Sequence, residues 1–310
     1  MKLEGIHHVT AITADGPRNV DFYARVLGLR LAKQTVNQDD PTAYHLFYTG
    51  ETGHYGSDLT FFEYPGARQG RAGAGMVHRI AYRVASTDSL TFWQERLRGE
   101  GIEGELHGTS LRFADPEGLG LELVVCDVAD QPLVAASAQV PDEHALQGFE
   151  AVRASVADPA DSEALLAATL GFTELAPHDW EARGRQRGGR IVLEPATGQG
   201  VPGAGTVHHV AFASLDEDHE AWREHVAAAG EQPTPVIDRF YFRSIYFREP
   251  GGILLELATE GPGFTADEPA EHLGERLSLP PDFEPLRDRL ERVLRPLPDT
   301  RAWRPAEARG

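Results

Sequence analysis

The chain repeats itself, and that repetition constrains its fold more than any other feature. Residues 73–84 read GAGMVHRIAYRV and residues 203–213 read GAGTVHHVAFA. Each is followed by a charged segment with helical spacing, at 88–98 and 216–228, which carries a central tryptophan, Trp93 or Trp222. A glycine, Gly99 or Gly230, is expected to stop each helix. Both units close alike, with SLRFADPEGLGLEL at 110–123 and SIYFREPGGILLEL at 244–257. There Asp115-Pro116 and Glu249-Pro250, with glycines close behind, read as hairpin turns between strands.

A weaker match opens each half. GIHHVTAIT at 5–13 precedes a helical segment at 17–27 that ends in LGL, and GFEAVRASV at 148–156 precedes one at 159–170 that ends in LGF. Four units of strand, helix and three strands therefore start near residues 5, 77, 148 and 207. The fold class this predicts is α+β: four βαβββ modules forming two cup-shaped mixed sheets, with the helices outside. Residues 1–130 and 148–262 form domains of two modules each, joined by a linker at 131–147. Residues 263–310 read as a proline-rich strap with a short amphipathic helix near 283–294 and a frayed end at 308–310.

Composition narrows the function classes. With 29 Lys and Arg against 48 Asp and Glu, the formal net charge of −19 argues against nucleic acid or an anionic membrane as a partner. No run approaches the length of a membrane span, and MKLEGIHHVT has no signal-peptide apolar region. The one cysteine, Cys126, permits no intrachain disulfide, suits a reducing cytoplasm, and follows an apolar run as a small core residue would.

Aligning the halves shows where metal chemistry could sit. His8 aligns with Ala151, Arg79 with His209, and Glu122 with Glu256. Neither half holds two histidines and a carboxylate at equivalent positions. His8 from the first half with His209 and Glu256 from the second completes the set that iron oxygenase sites use, leaving positions open for substrate and oxygen. The complement (Ala151, Arg79, Glu122) binds no metal, so one cup is live and one dead. Side chains alternate along a strand, so without a bulge only one histidine of each HH pair faces a given cup. A same-half set of His8, His78 and Glu122 needs a one-residue change of register and leaves His209 unexplained. The plainer alternative makes the HH pairs polar strand edges and Glu256 a satisfied buried carboxylate.

The stretch GIHHVTAITADGPRNVDFYARVLGLRLAKQTVN resembles the opening of the hydroquinone-type ring-cleaving dioxygenases of the vicinal oxygen chelate (glyoxalase/bleomycin resistance/extradiol dioxygenase) superfamily. The resemblance covers roughly residues 3–262. It implies that His8, His209 and Glu256 hold Fe(II), with Mn(II) accepted by the same donors. It also implies that His7, Thr10, His208, Arg239 and Tyr246 line the substrate pocket and serve catalysis. The implied reaction inserts both atoms of O2 into a hydroquinone or catechol, so the partners are a small aromatic substrate and O2. A homo-oligomer is compatible with the chain. Two rival readings exist: a glyoxalase-like isomerase, which would need Asp58 as a further ligand, and a metal-free binding protein of the resistance kind. The remaining histidines, His45 among them, show no paired spacing and read as exposed or structural. Asp58 and Glu63, flanking LTFF, could approach the metal, but they read first as solvated strand ends.

Overall fold

The computed structural model describes residues 1–308. The first module runs β1 (Leu3–Thr13), α1 (Gly16–Val20) with a π-helical continuation Asp21–Val26, then β2 (Arg30–Val36), β3 (Tyr44–Thr49) and β4 (Asp58–Glu63). The second comprises β5 (Met76–Val84), α2 (Thr87–Gly99), β6 (Glu105–His107), β7 (Ser110–Ala114) and β8 (Gly120–Val125). The third has β9 (Phe149–Val156), a 3-10 turn Pro159–Ser162, a π turn Leu165–Thr169, then β10 (Thr173–Ala176), β11 (Asp179–Arg183) and β12 (Gly188–Pro195). The fourth has β13 (Thr206–Ser214), α3 (His219–Ala228), β14 (Ile237–Asp238), β15 (Arg243–Arg248) and β16 (Leu254–Thr259). The segments at 17–27 and 159–170 are thus short 3-10, α and π pieces rather than the regular helices their spacing suggests.

Two eight-stranded mixed sheets result, in the orders β14-β15-β16-β13-β1-β4-β3-β2 and β10-β11-β12-β9-β5-β8-β7-β6. The first and fourth modules share one sheet, and the second and third share the other. Neither half of the chain owns a sheet. The antiparallel pairs β1–β13 and β5–β9 form the seams. Each module closes with a parallel pairing of its first strand to its last, as in β1–β4 and β13–β16.

Local chemistry explains the closing hairpins. Asp115 Oδ1 accepts from the backbone N–H groups of Glu117 and Leu119, each at 2.8 Å. Glu249 does the same toward Gly251 at 2.9 Å and Ile253 at 2.8 Å. The acidic residue before each proline therefore satisfies the orphan donors of the turn that follows. Trp93 and Trp222 face the core and are buried. Gly230 takes the left-handed conformation (φ 101°) after α3, but in α2 that role falls to Gly101 (φ 75°), since Gly99 is the last helical residue. Only a glycine adopts this backbone conformation without steric cost.

The segment at 131–147 is packed rather than loose. Ala135, Val140 and Leu146 are buried. Just before it, Asp130 takes ion pairs from Arg83 at 2.6 Å and Arg183 at 2.7 Å. The C-terminal segment crosses the first sheet. Fully buried Lys33 of β2 reaches Asp267 at 2.7 Å, Glu268, and the carbonyl of Phe264 at 3.0 Å. The short helix α4 (Arg287–Val293) buries Leu290. Ala308, expected to be frayed, closes a 3-10 turn and accepts from Arg304 Nε at 2.9 Å; positions 309 and 310 lie outside the described residues. Among the described residues no helix is long and apolar enough to cross a membrane.

Candidate metal centre and its cleft

Three strands of the first sheet bring the donor atoms together. His8 comes from β1, His209 from β13 and Glu256 from β16. His8 Nε2 lies 3.1 Å from His209 Nε2 and 3.1 Å from Glu256 Oε2, and His209 Nε2 lies 2.9 Å from the same oxygen. The triangle is nearly equilateral. Three ligands at right angles around a first-row cation, with bonds of about 2.1 Å, have edges of about 3.0 Å, whereas tetrahedral angles would spread them to about 3.4 Å. The observed edges fit the facial, right-angled arrangement. All three side chains are buried, and neither oxygen of Glu256 has a hydrogen-bond donor. A carboxylate fully enclosed without a donor is costly unless a cation completes it.

The neighbouring histidines orient the ligands. His7 Nε2 lies 3.1 Å from the carbonyl of Thr259, which only accepts, so Nε2 carries the proton. Burial, reinforced by His8, pushes His7 down to about 3, which keeps its ring neutral and its Nδ1 bare. The 2.8 Å contact between the Nδ1 atoms of His7 and His8 is therefore a donation from His8. That assignment leaves the lone pair of His8 Nε2 directed at the triangle. The same Nδ1 contact, also 2.8 Å, links His208 to His209.

The two members of the first pair line different cavities, on a strand whose pairing with β13 shifts register between Ile6 and His8. His8 lines the cleft in front of the triangle. His7 lines a second cavity of about 270 Å³ behind it, with Asp58, His54 and Tyr55. Asp58 pairs with His8 across β1 and β4. It is 1% exposed with an unpartnered Oδ1, and burial lifts its pKa to about 7. Glu63, also 1% exposed, accepts from the backbone of Gly16 at 2.7 Å where α1 begins. The expectation of solvated strand ends was wrong for both, because β4 lies between β1 and β3 inside the sheet.

The front cleft takes Arg239 and Tyr246 from the fourth module and His45, Phe47 and Phe62 from the first. Tyr246 lies opposite Glu256 across β15 and β16, its ring centroid 5.6 Å from that of His209. The Arg239 guanidinium sits 5.5 Å over the Tyr246 ring and pairs with Asp39 at 3.1 Å. A tight turn presents it: Tyr241 N–H donates to Arg239 C=O at 2.9 Å, and Phe240 between them has φ 70°. Such a γ-turn is strained for a non-glycine residue. His208 is exposed beside a further cavity that reaches Met76 and Arg248. Thr10 is fully buried, is not among the residues that line the cleft, and sets its hydroxyl 2.8 Å from that of Thr60.

His45 was missed by the sequence reading, which treated it as an isolated histidine. The signal was its place in the period-2 face with Phe47, not a paired spacing.

The second cup has a different filling. Glu122 is bound by Arg112 Nε at 3.0 Å and by Arg153 Nε at 2.8 Å. Guanidinium groups supply there the positive charge that a cation would supply in the first cup. The same-half set is absent for a related reason: His78 pairs with Glu194 at 3.1 Å. Among the described residues, two groups could hold a metal ion: His8 with His209 and Glu256, and His7 with His8 and Asp58.

Comparison with known proteins agrees with this architecture. The sequence model of the Glyoxalase/Bleomycin resistance protein/Dioxygenase superfamily matches residues 5–123 and 148–257. MhqO of Bacillus subtilis (strain 168), assigned as a ring-cleaving dioxygenase, is 41% identical over 95% of this chain and 97% of its own. A chlorohydroquinone/hydroquinone 1,2-dioxygenase of Sphingobium indicum is 31% identical over 94% of this chain and 96% of its own. A crystal structure of a Bacillus subtilis protein assigned as a dioxygenase superposes with a TM-score of 0.87 at 40% identity, covering 96% of this chain and 98% of that one. Glyoxalase I from Zea mays shares the fold at a TM-score of 0.59 and 16% identity, over 83% of this chain and 92% of that one.

Proposed function

The chain belongs to the Glyoxalase/Bleomycin resistance protein/Dioxygenase superfamily, and from that premise we propose that it is an Fe(II)-dependent ring-cleaving dioxygenase acting on a hydroquinone-type or catechol-type substrate. The observation that carries this reading is the His8–His209–Glu256 triangle opening onto an aromatic-walled cleft. Relatives matched over nearly their whole length, one named as a ring-cleaving dioxygenase and one as a chlorohydroquinone/hydroquinone 1,2-dioxygenase, support it. The fold alone would not, since it also hosts isomerases.

His8, His209 and Glu256 would hold the ion. Bound there, it supplies a Lewis acid for a phenol oxygen and a route for electrons from ring to oxygen. The protein does the rest. Phe47, Phe62 and Phe242 exclude water and stack the ring, which removes much of the entropic cost of bringing the reactants together. The Tyr246 hydroxyl, raised by its burial and by Glu256, stays protonated at neutral pH and can donate to negative charge that develops on oxygen. Arg239 adds positive charge on the same side, 5.5 Å over that ring. His7 fixes the His8 ring from behind. Manganese would accept the same donors. An isomerase of the glyoxalase kind is less well supported, because Asp58 groups with His7 and His8 rather than with the triangle. Burial, and then Glu150, raise the half-buried thiol of Cys126 to about 11, so it stays protonated at neutral pH.

The test is anaerobic purification with iron, then oxygen uptake against hydroquinones and catechols, with lactoylglutathione isomerisation as the control. One O2 consumed per ring, with both oxygen atoms in the product mass, supports the reading. Isomerase activity without oxygen uptake overturns it.

A further inference from the structure

We propose that His45 receives the second hydroxyl of a dihydroxy-aromatic substrate and thereby sets the preference of the cleft for hydroquinones over simple phenols; the inference rests on reading the cleft as a ring-cleaving site. His45 lies on β3 and lines the same cleft as His8 and His209. Its ring centroid is 4.0 Å from that of Phe47 and 4.4 Å from that of Phe62. The imidazole is therefore a polar group set into an aromatic wall.

The ring is held from behind by a chain of hydroxyl groups. His45 Nε2 lies 2.9 Å from Thr60 Oγ1, which lies 2.8 Å from Thr10 Oγ1. Burial among the aromatic side chains holds the imidazole neutral. A neutral imidazole has one donor and one acceptor nitrogen. Whichever way the bond to Thr60 runs, Nδ1 is left with the complementary role.

The second cup shows that packing does not demand this chain. Thr60 pairs with Phe47 and Thr10, while Val192 pairs with Asp179 and Arg153 at the equivalent places. There β11 begins only at Asp179, after a turn at Pro177 and His178, so no strand residue stands where His45 stands. Imidazole and both hydroxyls are thus confined to the cup that holds the triangle. The chemistry of the substrate supplies the reason. The two oxygens of a hydroquinone sit at opposite ends of the ring, so only one can bind a given metal ion. The other enters the wall and loses its water. Without a partner it would be an unsatisfied buried hydroxyl.

The experiment measures binding rather than turnover. Iron-loaded protein is titrated without oxygen, by calorimetry, with hydroquinone, 4-methoxyphenol and phenol. The wild type is expected to bind hydroquinone about tenfold more tightly than phenol, the worth of one neutral hydrogen bond. His45→Leu should erase that gap and leave phenol affinity unchanged, and His45→Gln should restore part of it. Thr60→Val, which keeps the ring but removes its support, should narrow the gap, and it decides the matter if His45→Leu does not fold. A gap that persists in His45→Leu overturns the inference. So does equal weakening of both ligands, which would make His45 a packing residue, and so does a wild type without preference. Oxygen uptake is scored separately: an intact, His45-dependent gap without uptake would sink the ring-cleaving reading and leave this contact standing.

Discussion

Tyr246 and Glu256 face each other directly across the β15–β16 ladder. In the second cup the same two positions are Arg112 and Glu122, paired in the same way across β7 and β8. One ladder position thus carries a phenol beside a carboxylate that has no donor, and a guanidinium beside one that is neutralised. Packing alone does not require an aromatic there. Tyr246→Phe should keep the fold and the iron but lower turnover about 100-fold, the order expected for one lost donor. Iron content, thermal melting and steady-state oxygen uptake on this variant check it. Unchanged turnover would make Tyr246 a wall residue.

Removing any corner of the triangle should remove the metal. His8→Ala, His209→Ala and Glu256→Ala each delete one of three protein donors, so bound iron should fall to background in all three. Arg79→Ala, at the corresponding place in the second cup, should leave iron content at the wild-type level. Metal analysis after dialysis reads the difference, and iron lost from Arg79→Ala would show that the wrong cup had been chosen.

Acid should weaken the second cup through Glu122. Burial alone would raise this carboxyl, but Arg153 and Arg112 bring it down to about 2. Its folded pKa lies below the unfolded one, so the unfolded chain binds more protons in between. The contribution is present above the ordinary carboxylate range and is lost as pH falls toward 2. Glu122→Gln should therefore cost about 2 kcal/mol at pH 7, discounted for the partly exposed arginines. The gap to wild type should close on acidification. Denaturant melts at a series of pH values measure it, and a pH-independent gap would contradict the assignment.

Lys33 should hold the C-terminal strap. It is fully buried against Asp267 and Glu268. Lys33→Met would leave Asp267 without its cation and Glu268 with Arg276 at 3.6 Å, at a cost of about 3 kcal/mol. Limited proteolysis should then cut within 263–281 before the sheets unfold. Cleavage at the wild-type rate would show that Arg30, which donates to Ala270 O at 2.8 Å, suffices as an anchor.

How much of this was legible in the residues depends on the range over which each signal acts. Module boundaries, hairpin turns and buried tryptophans follow from short segments whose chemistry is local, and the repeat makes each one visible twice. The repeat also pointed to His8, His209 and Glu256, because comparing the halves exposes positions where one copy keeps a donor that the other has lost. Tertiary structure decided the rest. It joined the first module to the fourth, and that seam sets donors 201 residues apart within 3.1 Å. It set the Thr10 hydroxyl behind the cleft wall, brought His45 into that wall, and enclosed Asp58. None of these follows from spacing along the chain, because the face a strand residue presents has meaning only once its neighbours in the sheet are known. The approach of Arg153 on β9 to Glu122 on β8 is likewise a contact between distant segments, whereas Arg112 reaches the same carboxylate across a hairpin.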